Sequence, residues 1–365
     1  MRLALPAKLT TILPPAVKQG LFNVRKQFWQ LFPPRHLFVF GGRMPYWPGF
    51  GRALYAREPV FRATVQECER VLVSLGGKAL LAYFEGSCDP SFLADEGRLV
   101  QFGVVVQLAL VELWRAYGIE PDAVMGVSSG EPAAMYAAGG LSLPDALRVS
   151  MSWALISQVE SPSYGTLLLK AESSHARHLC ANCPVGLYII VDVDPTRQTL
   201  FCALADIEAA KIYLRAQGAA FQQIKTTPIW PYHTPVLIQH EAALRQPLLG
   251  ISPLPTTKPC YLATSGQVLP TGSLVPGEYW LRPPQVPVYQ YRAIQAAIAD
   301  HYLVMTPIGA HPFSYIGQEA LKKTIYKVRF MSPFIAEEPE LETFAATYQR
   351  LQDVGLAARQ KSAHR

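Results

Sequence analysis

Apolar and polar residues change rhythm along this chain, and the changes mark out its elements. HLFVFGG (36–42) is an unbroken apolar run closed by glycines, which predicts a short buried strand. Residues 58–76 place Val60, Phe61, Val65, Cys68, Val71 and Leu72 at helical spacing. A long apolar helix is predicted over 99–117, ending near Gly118 with Pro121 beyond. DAVMGV (122–127) reads as a buried strand. A helix follows from Gly130, where Pro132 falls in the first turn and is tolerated. GVSSG (126–130) therefore lies on a strand–turn–helix junction.

The texture changes between 162 and 226. GTLLLKA, VGLYIIVDV and QTLFCAL read as strands, and ADIEAAKIYLRAQG reads as a helix closed by a glycine. This predicts a small α+β subdomain inserted into a larger one. The larger domain resumes near TTPIWPYHTP, followed by a helix over 288–299 and a strand over 303–309. The expected organisation is a basic N-terminal arm (1–36), a core (37–161 and 227–330), the inserted subdomain (162–226) and a partly helical C-terminal tail (331–365).

Composition narrows the class. The chain has 365 residues, 50% hydrophobic and 16% charged, enough for a sizeable core. No apolar run is expected to span a membrane: FGVVVQLALVELW is too short and carries Gln107 and Glu112. Prolines 6, 14 and 15 and Lys8 break up the N-terminus and argue against a signal peptide. The six cysteines form no framework. The single CxxC, Cys180 and Cys183, lacks the partners a zinc site needs, so neither metal nor disulfide is expected, and a reduced, cytoplasmic protein is. The net charge of +6 comes from Arg2, Lys8, Lys18, Arg25, Lys26 and Arg35. The rest of the chain balances at 27 basic and 27 acidic residues. Such an arm suits an acidic partner or headgroups, and no nucleic-acid module is present.

The chemistry gathers at GVSSG. G-x-S-x-G between a strand and a helix is the nucleophile elbow, which strains the central serine and sets it at a helix N-terminus. That serine is Ser128, and the amide of Ser129 follows as an oxyanion donor. A serine needs a base. His36, His175, His178, His240 and His364 read as surface residues, His301 as a connector and His311 as a turn residue. His233 is held between Pro231 and Pro235 where the chain leaves the small subdomain, at the mouth of an interdomain cleft.

Several blocks, in order, resemble the malonyl-CoA:acyl carrier protein transacylase superfamily, which includes the acyltransferase domains of polyketide and fatty acid synthases. They are FVFGGRMPYWPGFGRALYAREPVF, VQFGVVVQLALVELWRAYGIEPDAVMGVSSGEPAAMYAAGGLSLPDALR, WPYHTPVL, EYWLRPPQVPV and PIGAHPF. The resemblance implies an α/β fold: an α/β-hydrolase-like large subdomain with an inserted ferredoxin-like small one. It implies Ser128 as nucleophile, His233 as base, the backbone carbonyl of Val286 orienting the histidine, and an oxyanion hole from the amides of Ser129 and Arg43. Gln101 matches a tunnel residue, and Glu131 the acid that holds the elbow. The implied reaction is ping-pong through an acyl-serine, with pantetheine thioesters of CoA or carrier protein as substrates and no tightly bound cofactor.

Four departures bear on the acyl group. The helical arginine that clamps a malonyl carboxylate is replaced by Trp153. The histidine before the nucleophile is replaced by Val127. GQGSQ has become GRMPY (42–46), and WPYH, with Tyr232, matches neither malonyl nor methylmalonyl tetrapeptide. Together they predict an uncharged, monocarboxylic acyl group. Two alternatives stay open: an acyl hydrolase acting on carrier proteins, and a non-catalytic docking module. The expected partners are an acidic acyl carrier protein, met by the arm, Lys225, Arg52 and Arg57, and other components of a synthase.

Overall fold

The computed structural model describes residues 34–43, 46–88, 90–310, 328–336 and 338–356. The large sheet has the order β10-β9-β1-β2-β7-β8. Its strands are β1 (Arg35–Phe40), β2 (Ala123–Gly126), β7 (Cys260–Leu262), β8 (Gln267–Leu269), β9 (Tyr302–Ile308) and β10 (Arg329–Phe330). All neighbours pair in parallel except β8, which is antiparallel to β7.

The apolar runs of β1 and β2 are explained by burial on both faces. Phe38, Phe40 and Val124 point into one core, and Leu37, Val39, Ala123 and Met125 into another. The first core is covered by α1 (Pro59–Ser74), α2 (Glu96–Ala116), α3 (Glu131–Ala137) and α4 (Leu143–Ala154). Helix α7 (Gln290–Ala299) contributes to the second through Ala293, Ile294, Ala297 and Ile298.

Helix α2 begins three residues before the expected start, because the Asp95 carboxylate caps it by accepting the Arg98 amide at 2.8 Å. Contrary to expectation, its length and composition suffice to cross a membrane. Yet 72% of its most apolar stretch is buried inside the protein, which is where a central core helix sits.

The inserted unit runs β3 (Tyr164–Lys170), α5 (Ser173–Ala181), β4 (Leu187–Asp194), β5 (Arg197–Ala203), α6 (Ile207–Ala216), β6 (Ala220–Ile229). Its antiparallel sheet has the order β4-β5-β3-β6, the ferredoxin-like arrangement. It carries its own core, centred on Leu167, Leu169, Leu179, Leu200 and Leu214. It is stitched to the large subdomain at Val288, whose carbonyl accepts the Asp192 amide at 2.9 Å and whose amide donates to Ile190 at 2.8 Å.

Two boundaries differ from the sequence reading. Strand β6 continues to Ile229, past the expected return to the large domain. The C-terminal helix α8 (Glu340–Asp353) is no tail: Phe344 packs on Trp114 at 4.3 Å, and Glu340 accepts the Gly51 amide at 2.7 Å. Of the basic arm, residues 1–33 lie outside the described residues, as do Met44, Pro45, His311 and His364.

Candidate active site

The site is built where β2 ends. Val127 is still extended, Ser128 turns to φ 53°, a single turn follows through Gly130, and α3 begins. Left-handed backbone at a non-glycine residue costs about 1–3 kcal/mol and persists only where the surroundings enforce it. Here the enforcement comes from close approach. A Cβ on Gly126 would stand 2.6 Å from Glu131 Cα, and one on Gly130 would collide with the carbonyls of Phe40 and Gly41. Gly42 lies so near that its Cβ would be 2.8 Å from Ser128 Cβ. Glycine at these positions lets the β1 loop press against the serine.

The Glu131 carboxylate is fully buried and accepts both the amide, at 2.8 Å, and the hydroxyl of Thr264. It thereby ties the elbow helix to the segment after β7. Burial pushes its carboxyl up to about 7, against the opposing hydrogen bonds from Thr264. Gln107, which the sequence reading used only to argue against a membrane span, donates to the Gly41 carbonyl at 2.8 Å from inside α2 and braces the β1 loop. A glutamine in an apolar helical stripe was the available signal.

His233 also has positive φ, 64°, and its amide donates to the Pro284 carbonyl at 2.6 Å. Its Nδ1 lies 3.0 Å from the Pro283 carbonyl and 3.1 Å from that of Val286. Two carbonyls can only accept, so Nδ1 carries the proton and Nε2 is left as acceptor. Nε2 lies 2.8 Å from Ser128 Oγ. Burial lowers the imidazole to about 4, outweighing the two backbone bonds, so the ring is neutral at pH 7. A neutral imidazole on a serine hydroxyl at a helix N-terminus is an arrangement that can activate the oxygen for attack on a carbonyl.

Ser128 opens on a cavity of about 170 Å³ between the two subdomains. Val100, Trp153, Phe201, Ile229, Trp230 and Pro284 form its apolar wall. Arg43, Glu96, Ser129, Tyr232 and His233 complete it. Trp153 is 4% exposed, and its Nε1 donates to the Trp280 carbonyl at 2.8 Å, so the indole presents only apolar surface to a ligand.

Other expected residues lie elsewhere. Gln101 is buried and accepts the Lys78 amide at 2.9 Å; it supports the loop before α2 and does not line the cavity. Val127 faces the second core, also away from the cavity. His36, expected at the surface, is fully buried with Nε2 at 2.8 Å from Thr306 Oγ1. Arg148 reaches the Leu249 carbonyl. Of the basic residues expected to meet a partner, Arg52 is held by the Tyr83 carbonyl at 2.7 Å, Arg57 is exposed, and the Lys225 side chain lies outside the described residues. Among the described residues no cluster of His, Cys, Asp or Glu is placed to hold a metal.

Fold and site together define an α/β protein with a serine on a strand–turn–helix elbow and a histidine from a later loop of the same large subdomain, both lining a cavity between the two subdomains. The acyl transferase domain family matches residues 37–362, and the chain belongs to that family. Over 289 residues it is 33% identical to a phenolphthiocerol/phthiocerol polyketide synthase of Mycobacterium tuberculosis, covering 76% of this chain and 12% of that protein. It thus spans about an eighth of that relative's length. Among solved structures, a loading acyltransferase from the avermectin modular polyketide synthase aligns with TM-score 0.74 and 26% identity, covering 87% of this chain and 99% of that one. The acyltransferase domain of the polyketide synthase PpsC of Mycobacterium tuberculosis aligns with TM-score 0.68 and 28% identity, covering 83% and 94%.

Proposed function

We propose that the protein moves an uncharged acyl group from a pantetheine thioester onto an acyl carrier protein through an acyl-serine on Ser128, in polyketide or related lipid assembly. The observation that carries this reading is the 2.8 Å contact of Ser128 Oγ with the unprotonated Nε2 of His233, at the floor of a cavity walled by Trp153. His233 Nε2 takes the Ser128 proton as Oγ attacks the thioester carbonyl. The amides of Ser129 and Arg43, both on residues lining the cavity, stabilise the oxyanion. The intermediate collapses, the C–S bond breaks, and the proton on Nε2 passes to the leaving thiolate. A second pantetheine thiol gives its proton to His233, attacks the acyl-serine and leaves with the acyl group, while the proton returns to Ser128 Oγ.

The apolar wall supports an uncharged acyl chain, because a carboxylate against Trp153 would be buried without a counter-charge at that wall. The volume supports a short or branched chain: a cavity of about 150 Å³ admits benzene. The relation to a loading acyltransferase agrees with a starter unit.

Intact-protein mass spectrometry tests the reading. The protein is incubated with acetyl-, propionyl-, isobutyryl-, malonyl- and long-chain acyl-CoA, then chased with carrier protein or buffer. The expected result is a Ser128 adduct from the short uncharged donors, discharged by carrier protein and stable in buffer. Rapid loss in buffer would instead establish a hydrolase, and malonyl loading at the propionyl rate would refute the acyl class.

A further inference from the structure

The cavity wall also holds a cation that is already paired. Arg43 follows Gly42, the residue pressed against Ser128, so its side chain departs from the edge of the reacting centre. Its Nε donates to Glu96 Oε1 at 2.8 Å and Oε2 at 3.0 Å, and its Nη2 donates to Oε2 at 2.9 Å. The Glu96 side chain is 2% exposed and that of Arg43 49%. Both line the cavity, and Arg43 is the cationic side chain among its described lining residues.

Paired along its Nε–Nη2 edge, the Arg43 guanidinium has its charge balanced by Glu96 while Nη1 stays outside that pair, so a ligand carboxylate would meet a cation already neutralised. Glu96 occupies that edge from a rigid position in the first turn of α2, and a carboxylate so buried cannot be left without its partner. An acidic acyl group entering the cavity therefore meets a neutralised cation and a fixed anion.

We infer that Glu96 is a specificity residue, which denies the Arg43 guanidinium to acyl groups bearing their own carboxylate. The inference rests on the acyl-serine reading above and deepens it. Trp153 offers no charge at one wall, and Glu96 cancels the charge at another.

The test compares initial rates of Ser128 acylation by malonyl-CoA and propionyl-CoA, read by intact mass on the full chain. Glu96→Gln and Glu96→Ala release the guanidinium, and the malonyl-to-propionyl ratio is expected to rise about tenfold or more over the parent protein. Adding Arg43→Gln to either variant is expected to abolish the rise. Arg43→Gln alone keeps the anion and removes the cation, and its ratio is expected to fall below the parent value. An unchanged ratio in the Glu96 variants that melt like the parent overturns the inference. So does a rise that survives in the double variants, or a rise with Arg43→Gln alone. Failure of the underlying reading appears separately, in the parent protein: no adduct from any donor, or malonyl loading at the propionyl rate.

Discussion

At the scale of single residues, the proposed reaction depends on an imidazole kept neutral by burial. His233 accepts the serine proton only when unprotonated, and its environment lowers it from the usual 6.5 to about 4. The second-order acylation rate of the free enzyme is therefore expected to stay level from pH 7 downward and to fall only as pH drops through about 4, as a pH–rate profile with a stable thioester would show. A break near 6.5 would contradict the burial seen here. Replacing His233 by Ala is expected to slow acylation by about 10²–10⁴-fold, measured by adduct formation. Trp153→Ala removes a buried ring whose N–H is satisfied by Trp280. It is expected to cost about 3–5 kcal/mol in denaturant unfolding and to shift loading toward longer acyl chains. The residue scale is also where the sequence reading was least complete. Ser128 and His233 stand in local patterns of glycine and proline that announce strained loops. Gln107 shows only as a polar residue in an apolar helical stripe, and Glu96 gives no local signal, since its place by the cavity exists only through what it touches.

At the scale of elements, the elbow is a strand and a helix brought too close for any side chain at Gly126 and Gly130. Gly130→Ala drives a methyl into the Phe40 and Gly41 carbonyls and is expected to abolish acylation and lower the melting temperature. Glu131 joins this elbow to Thr264. Its folded pKa, about 7, lies above the ordinary 4.5, so the folded state binds more protons between those values. Its contribution is fully present below about 4.5 and is lost as pH rises through about 7. Glu131→Gln is expected to flatten that decline in a series of unfolding curves from pH 4.5 to 8. A steeper loss with pH in the variant would contradict the protonated state. Most elements were legible because their apolar period is strong: α1, α2, β1 and β2 are buried along a whole stripe or on both faces. Helix α5 escaped notice because only Ala176 and Leu179 are buried along it and both its histidines are exposed. Strand β7 escaped because three residues, Cys260–Leu262, show no period.

At the scale of the whole molecule, α8 returns the end of the chain to the first core. Phe344 packs at a tilt on Trp114 and against Tyr117 at 5.2 Å, and it is 2% exposed. Phe344→Ala is expected to cost about 3–5 kcal/mol in denaturant unfolding, whereas a polar tail would tolerate it. The polar composition around 340–356 conceals this, since one face of a helix suffices for docking. The cavity, too, belongs to this scale. Phe201, Ile229 and Trp230 reach it from the inserted subdomain and its exit, and the bonds at Val288 hold the two units around it.

The chain's own order of residues determined most of the elements, the strained serine turn and the kinds of side chain available, because hydrophobic period and glycine or proline constraints act over a few neighbouring residues. Only the tertiary structure decided that His233 meets Ser128 across 105 positions, that Trp153 walls their cavity, and that Arg43 faces it already paired with Glu96. Those outcomes depend on distance and dielectric between remote segments, and neither quantity exists until the chain has packed.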